Sequence, residues 1–149
     1  MNYRDLLGKY FGEAELSAWL ESVGIAGQAE IEGGDQNAFL SNEKAGIECT
    51  LSDSAQMESA ARDYPDGALV LINIRFYGEP TDDFSAYTGP LPDGFDFGES
   101  EAELKARWGE PEWRNPKGNR MRWLIDGKIN HVTLNAQGGA KILALGLPG

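Results

Sequence analysis

Carboxylates are the only side chains abundant enough in this chain to suggest chemistry: 24 Asp and Glu stand against 13 Lys and Arg, one histidine and one cysteine. Two acids facing each other across a bound sugar or phosphate ester can act as general acid and base. A small carboxylate-dependent hydrolase, or a glycan-binding domain, therefore stays open as an alternative. Other chemistries lack their residues. His131 stands in an apolar alternation with no cysteine or second histidine near it to complete a metal set, and it reads as structural. No Gly-x-Ser-x-Gly elbow, zinc-binding His-Glu-x-x-His helix, Cys-x-x-Cys pair or phosphate loop occurs. The run Asp93-Gly94-Phe95-Asp96-Phe97-Gly98-Glu99 lacks the oxygen spacing of a calcium loop and leads into a helix cap, so it reads as a turn. The expectation is a protein that is not an enzyme, with no catalytic residue, no metal and no cofactor.

Short elements must position whatever groups do act. Asn2 is placed to cap a first helix carrying Tyr3, Leu6, Leu7 and Tyr10 on one face, and Gly12 breaks it. Leu16, Trp19, Leu20 and Val23 recur at i, i+3, i+4 and i+7, which predicts a second helix over 13–23 that stops at Gly24. Residues 28–32 alternate, with Ala29 and Ile31 opposite Glu30 and Glu32, and predict a strand before the turn at Gly33-Gly34-Asp35. Further strands are predicted over 37–41 and around Ile47, Cys49 and Leu51, with Cys49 a buried small hydrophobe. Residues 52–62 predict a short helix or a surface excursion, and 68–76 a central strand.

The second half repeats the order. Ser100 and Glu103 form a capping box for a helix over 101–108 that buries Leu104 and Trp108. A turn at 115–118, strands over 121–125 and 129–134 joined by Asp126-Gly127, and a last strand over 141–147 after Gly138-Gly139 complete it. The predicted class is α+β: two tandem units of helix plus antiparallel meander, forming one sheet with helices on one face. We expect one domain over 1–149, with a first pseudo-repeat at about 2–77, a connector at 78–97 and a second pseudo-repeat at about 98–149.

Such a sheet leaves one face without helices. Glu30, Glu32 and Glu48 are expected on it in the first unit, and Arg114, Arg120, Arg122 and Lys128 on or near its equivalent in the second. The formal net charge of -11 falls unevenly: residues 1–90 hold 5 Lys and Arg against 16 Asp and Glu, whereas 91–149 hold 8 of each. That field repels nucleic acid and anionic membrane and attracts a basic protein. No apolar run approaches the length of a membrane span, and no secretory leader is evident at the N-terminus, so a cytoplasmic protein is expected.

Residues 91–100, Leu-Pro-Asp-Gly-Phe-Asp-Phe-Gly-Glu-Ser, continue through Leu104 to Trp108-Gly109-Glu110-Pro111. With Leu6-Leu7-Gly8-Lys9 at the start and Gly46-Ile47-Glu48-Cys49-Thr50-Leu51 before the long strand, this layout resembles small bacterial immunity proteins encoded beside polymorphic toxins and secreted effectors. The helix stop followed by a meander is also similar to the fold of the β-lactamase inhibitory protein and the SmpA-type outer-membrane lipoproteins. The resemblance implies a protein that binds a cognate toxin and occludes its active site. Its partner is expected to be a basic toxin domain contacted by Glu30, Glu32, Asp35, Glu48, Glu79, Asp82 and Asp83, with Phe84 and Trp113 as apolar anchors. A structural or assembly module is the third reading.

Overall fold

The computed structural model describes residues 3–33, 35–57 and 62–148. Seven strands form one antiparallel sheet: β1 (Asn37–Asn42), β2 (Ile47–Asp53), β3 (Leu69–Tyr77), β4 (Trp113–Arg114), β5 (Arg120–Ile125), β6 (Lys128–Leu134) and β7 (Ala140–Gly146). Their order across the sheet is β1-β2-β3-β7-β6-β5-β4. Each meander, β1 to β3 and β4 to β7, is built of neighbours in sequence, and the two join where β3 pairs with β7. Local hairpins fix most of the register. The tightest links Ile125 to Lys128 through Asp126 and Gly127, whose φ angles of 51° and 77° suit the two-residue turn that matches strand twist.

Two helices, α1 (Ala14–Ser22) and α2 (Glu101–Trp108), pack on one face of the sheet. Leu16, Trp19 and Leu20 of α1 and Leu104 of α2 share a single core with Ile47, Cys49, Leu51, Ile74, Phe76, Met121, Trp123, Leu143 and Leu145. These strand residues have one parity, which is how the pleat delivers them to one side. Burial pushes the Cys49 thiol up to about 12, with Glu48 adding to it, so it stays an unreactive core residue. Ser100 caps α2: its Oγ accepts from the Glu103 amide while Glu103 accepts from the Ser100 amide, as the capping box predicts.

The connector after β3 is held by charge. Arg4, only 4% exposed, donates Nη1 to Asp93 Oδ1 at 3.0 Å and Nη2 to Asp93 Oδ2 and to Asn130 Oδ1, the last at 3.0 Å. The indole of Trp108 donates to the same Asp93 at 3.1 Å. Arg107 forks onto Glu99 at 2.6 and 2.7 Å. Asp93 and Glu99 therefore bind cations of the protein itself, in keeping with a structural turn. Gly46, at φ 76°, is needed where the connector passes: a Cβ there would collide with the Ser85 carbonyl and the Tyr87 amide.

Several elements differ from the sequence expectation. The first helix is a 3-10 turn, Tyr3–Leu6, and Asn2 lies outside the described residues. Residues 8–11 then turn back along β3, bonding Leu69 and Leu71 and bridging Tyr10 to Val70. Residues 28–32 form no strand. Their alternation is real, because Ala29 and Ile31 pack on the core and Glu30 and Glu32 are exposed, but no neighbouring strand takes up their backbone groups. Gly34 of the following turn lies outside the described residues. Residues 52–62 hold the end of β2 and one 3-10 turn, Ser54–Gln56, with 58–61 outside the described residues. The strand over 68–76 is interior as expected, though β7 takes the middle of the sheet.

Candidate functional site

The second parity of the strands builds the face that no helix covers. Register places one residue from every strand in a single row across it: Trp113, Arg122, His131, Ala144, Arg75, Glu48 and Ser41, from β4 to β1. Small residues sit in the middle, since β7 presents Ala144 and Gly146. Longer side chains rise beside them and leave a shallow concavity of about 770 Å³. A β-bulge near the start of β7 leaves Lys141 without a partner in the β6–β7 register, and Lys141 lines this concavity with Arg75, Arg120, Arg122 and His131.

Charge is lopsided here. Among the described residues, the concavity is lined by four permanent cations and one carboxylate, Glu112, in a chain whose net charge is -11. Glu112 lies 3.1 Å from Arg122 Nε, while Arg75 and Arg120 form no ion pair with any described acid. The Arg122 guanidinium stands 5.2 Å over the Trp113 ring, and Trp113 stacks on His131 at 6.1 Å. Burial holds the His131 imidazole below its ordinary range, and Arg75, Arg120 and Arg122 lower it further. The paired carboxylates that a glycosidase requires do not meet in this concavity. Among the described residues, no cluster of three or more His, Cys, Asp or Glu is placed to hold a metal ion.

The same face collects exposed apolar groups. Among the described residues, the large hydrophobic side chains left exposed are Phe39 at 56%, Leu124 at 54% and Trp113 at 38%. All three have the uncovered parity, by pairing with Thr50, Ile129 and Arg122. Phe39 and Trp113 stand on the two edge strands and Leu124 lines the concavity between them, so the three mark the breadth of the face more than one contiguous patch.

The predicted contact residues separate into three places. Glu48 lies on the uncovered face, where its Oε1 accepts from Tyr77 at 3.4 Å, and Phe84 stacks on that tyrosine at 4.3 Å. Asp82 and Asp83 directly precede Phe84 in the connector, and Glu79 accepts from Asn135 at 2.8 Å. Trp113 is exposed on the face, at its opposite edge. Glu30, Glu32 and Asp35 are instead exposed in the loop before β1, so the expected placement of Glu30 and Glu32 on the sheet is corrected.

Arg120 and Arg122 are on the face as expected. Arg114 turns to the helix side, where it forks onto Glu101 of α2 at 2.7 and 2.9 Å, and Lys128 shares the core parity of Asn130 and Val132. Sequence reasoning put Arg75 opposite the apolar face of its strand, but it missed its grouping with the β5 arginines, Lys141 and the role of His131 in the row. Arg75 carried a signal, as the one cation alternating with the apolar residues of β3. Lys141 carried none, because its position depends on the bulge.

Among the described residues, no helix is long and apolar enough to cross a membrane. In comparisons with family models, curated proteins and solved structures, nothing matches this chain.

Proposed function

We propose that this chain is a non-enzymatic binding protein that seats a protein partner on the uncovered face of its sheet. Following the resemblance in its turns and caps, the partner is a cognate toxin domain whose active site the bound chain occludes, as an immunity protein does. The confinement of Phe39, Leu124 and Trp113 to that face is the observation that carries the reading. Fully burying such a side chain contributes about 1.5–3 kcal/mol, and aromatic anchors ringed by polar groups are the usual centre of protein interfaces. Glu48 and the connector acids Asp82 and Asp83 border one side of the face and would speed encounter with a basic part of the partner. The doubled order of helix and meander fits the tandem fold named above, in which two half-size units present one broad sheet.

Co-expression tests this directly. The protein encoded immediately upstream is expressed with and without this chain, and growth and co-purification are scored. Rescue with a stoichiometric complex is the expected result; neither rescue nor complex would remove the toxin reading. Within a rescued pair, Phe39→Ser, Trp113→Ser and Leu124→Ser together should weaken the complex while leaving the fold intact, because none of the three belongs to the core.

A further inference from the structure

The concavity has a different sign from the rest of the molecule, and that sign constrains what sits in it. Arg75 on β3, Arg120 and Arg122 on β5 and Lys141 on β7 converge on a floor made by Ala144 and Gly146. The acids near them are few: Glu112, already beside Arg122, and Glu48, which is the register neighbour of Arg75 and accepts from Tyr77. Like charges gathered in one concavity repel one another, and this cost falls when an anion enters. Guanidinium groups fit carboxylates in a planar, two-pronged manner. Trp113 and Leu124 on the same side would cover the apolar neighbours of such carboxylates, as in an extended segment that alternates acidic and apolar residues.

Resting on the reading of this face as a partner-binding surface, we propose that the concavity takes an acidic segment of the partner protein. Its carboxylates sit on Arg75, Arg120 and Arg122 and its apolar side chains against Trp113 and Leu124. The occupant is a polypeptide and not a nucleic acid. A nucleic-acid backbone extends its charge beyond the concavity, where it meets a chain of net charge -11, whereas a short acidic segment ends inside it. The partner is therefore polarised too: acidic where it meets β3, β5 and β7, and basic where it meets Glu48 and the connector.

The test uses the full chain and three probes: a short peptide of alternating glutamate and phenylalanine, the same peptide with lysine for glutamate, and a single-stranded oligonucleotide. Amide shifts report where each binds, and the part of the tryptophan fluorescence change that Trp113→Phe abolishes, with Trp19, Trp108 and Trp123 unchanged, reports how tightly. The glutamate peptide should shift amides of β3, β5, β6 and β7, weaken with added salt, and raise the His131 pKa as its carboxylates offset the arginines. The triple variant Arg75→Glu, Arg120→Glu, Arg122→Glu should lose about tenfold or more in affinity. Its circular dichroism should match the parent, and Arg75→Gln, Arg120→Gln, Arg122→Gln serves where charge reversal disturbs folding.

Absent or displaced shifts, equal binding of the lysine peptide, or tighter binding of the oligonucleotide would overturn the proposal. In the co-expression assay, full protection by a folded triple variant would also overturn it, while leaving toxin binding intact. Failure of the unaltered chain to protect would instead remove the toxin reading and leave the peptide result standing.

Discussion

Arg4 and Arg122 bring the same guanidinium into opposite situations. Arg4 is buried, forks onto Asp93 and reaches Asn130, joining segments 89 and 126 residues away in sequence. Arg122 lies on the uncovered face, with one half-exposed carboxylate and an indole for company, while Arg75 and Arg120 beside it pair with no described acid. In the first region geometry satisfies charge, and the outcome is a clasp between the N-terminus, the connector and β6. In the second, charge is gathered and left under-neutralised, and the proposed partner surface rests on that difference.

The largest effect that would sharpen this contrast comes from the clasp. Arg4→Met should lower unfolding free energy by about 2–3 kcal/mol, because the buried Asn130 loses its partner and the Asp93 carboxylate is left with the Trp108 indole. Chemical denaturation measures it, and a loss below about 1 kcal/mol would break the contrast from one side. The triple charge reversal of the open-face arginines should change stability by less than about 1 kcal/mol, since Arg120 is exposed, Arg75 and Arg122 are half-buried, and the one acid paired with them, Glu112, is itself half-exposed. A loss as large as that of Arg4→Met would show these arginines to be structural.

Acid should separate the regions next. The Arg4 hydrogen bonds hold the Asp93 carboxyl below its ordinary value despite partial burial. Stability from this pair is present above the unfolded carboxylate pKa and is lost as pH falls through the lower folded value, below about pH 4. Asp93→Asn should flatten that part of the stability profile, and an unchanged acid limb would rule the clasp out as its source. Glu99 also ends below its ordinary value: burial opposes its ionisation, but the Arg107 fork and the hydrogen bond from the Asp96 amide together outweigh this.

The smallest effect is at His131. Burial and three arginines depress its pKa, so the unfolded chain takes up a proton first as pH drops through the ordinary histidine range. Stability should fall slightly there and stop falling below the folded value. Reversing the three arginines should return the imidazole toward its usual pKa in an NMR titration. No movement would mean that burial alone sets it.

Much of the fold was legible because its signals are local. The capping box at Ser100 and Glu103 spans one helical turn, and Asp126-Gly127 fixes a hairpin through two backbone angles. The alternation of Ile47, Cys49 and Leu51 reports which face is buried, and it does so wherever a neighbouring strand exists. Residues 28–32 carry a similar alternation and form no strand, since period alone shows an inward side but not a bonding partner.

Sequence by itself located α1 and α2 to within one residue at each end, most of the strands, the uneven charge and the absence of the familiar catalytic motifs. Those follow from interactions within a few residues, or from composition. Tertiary structure alone decided that Arg114 turns under the sheet while Arg122 stays above it, that Asp93 belongs to Arg4, and that a bulge aims Lys141 into the concavity. It also set the row from Trp113 to Ser41, because pairing β3 with β7 brings Arg75 to the arginines of β5. Such contacts join residues far apart in sequence, and their geometry is fixed only when both meanders close on one core.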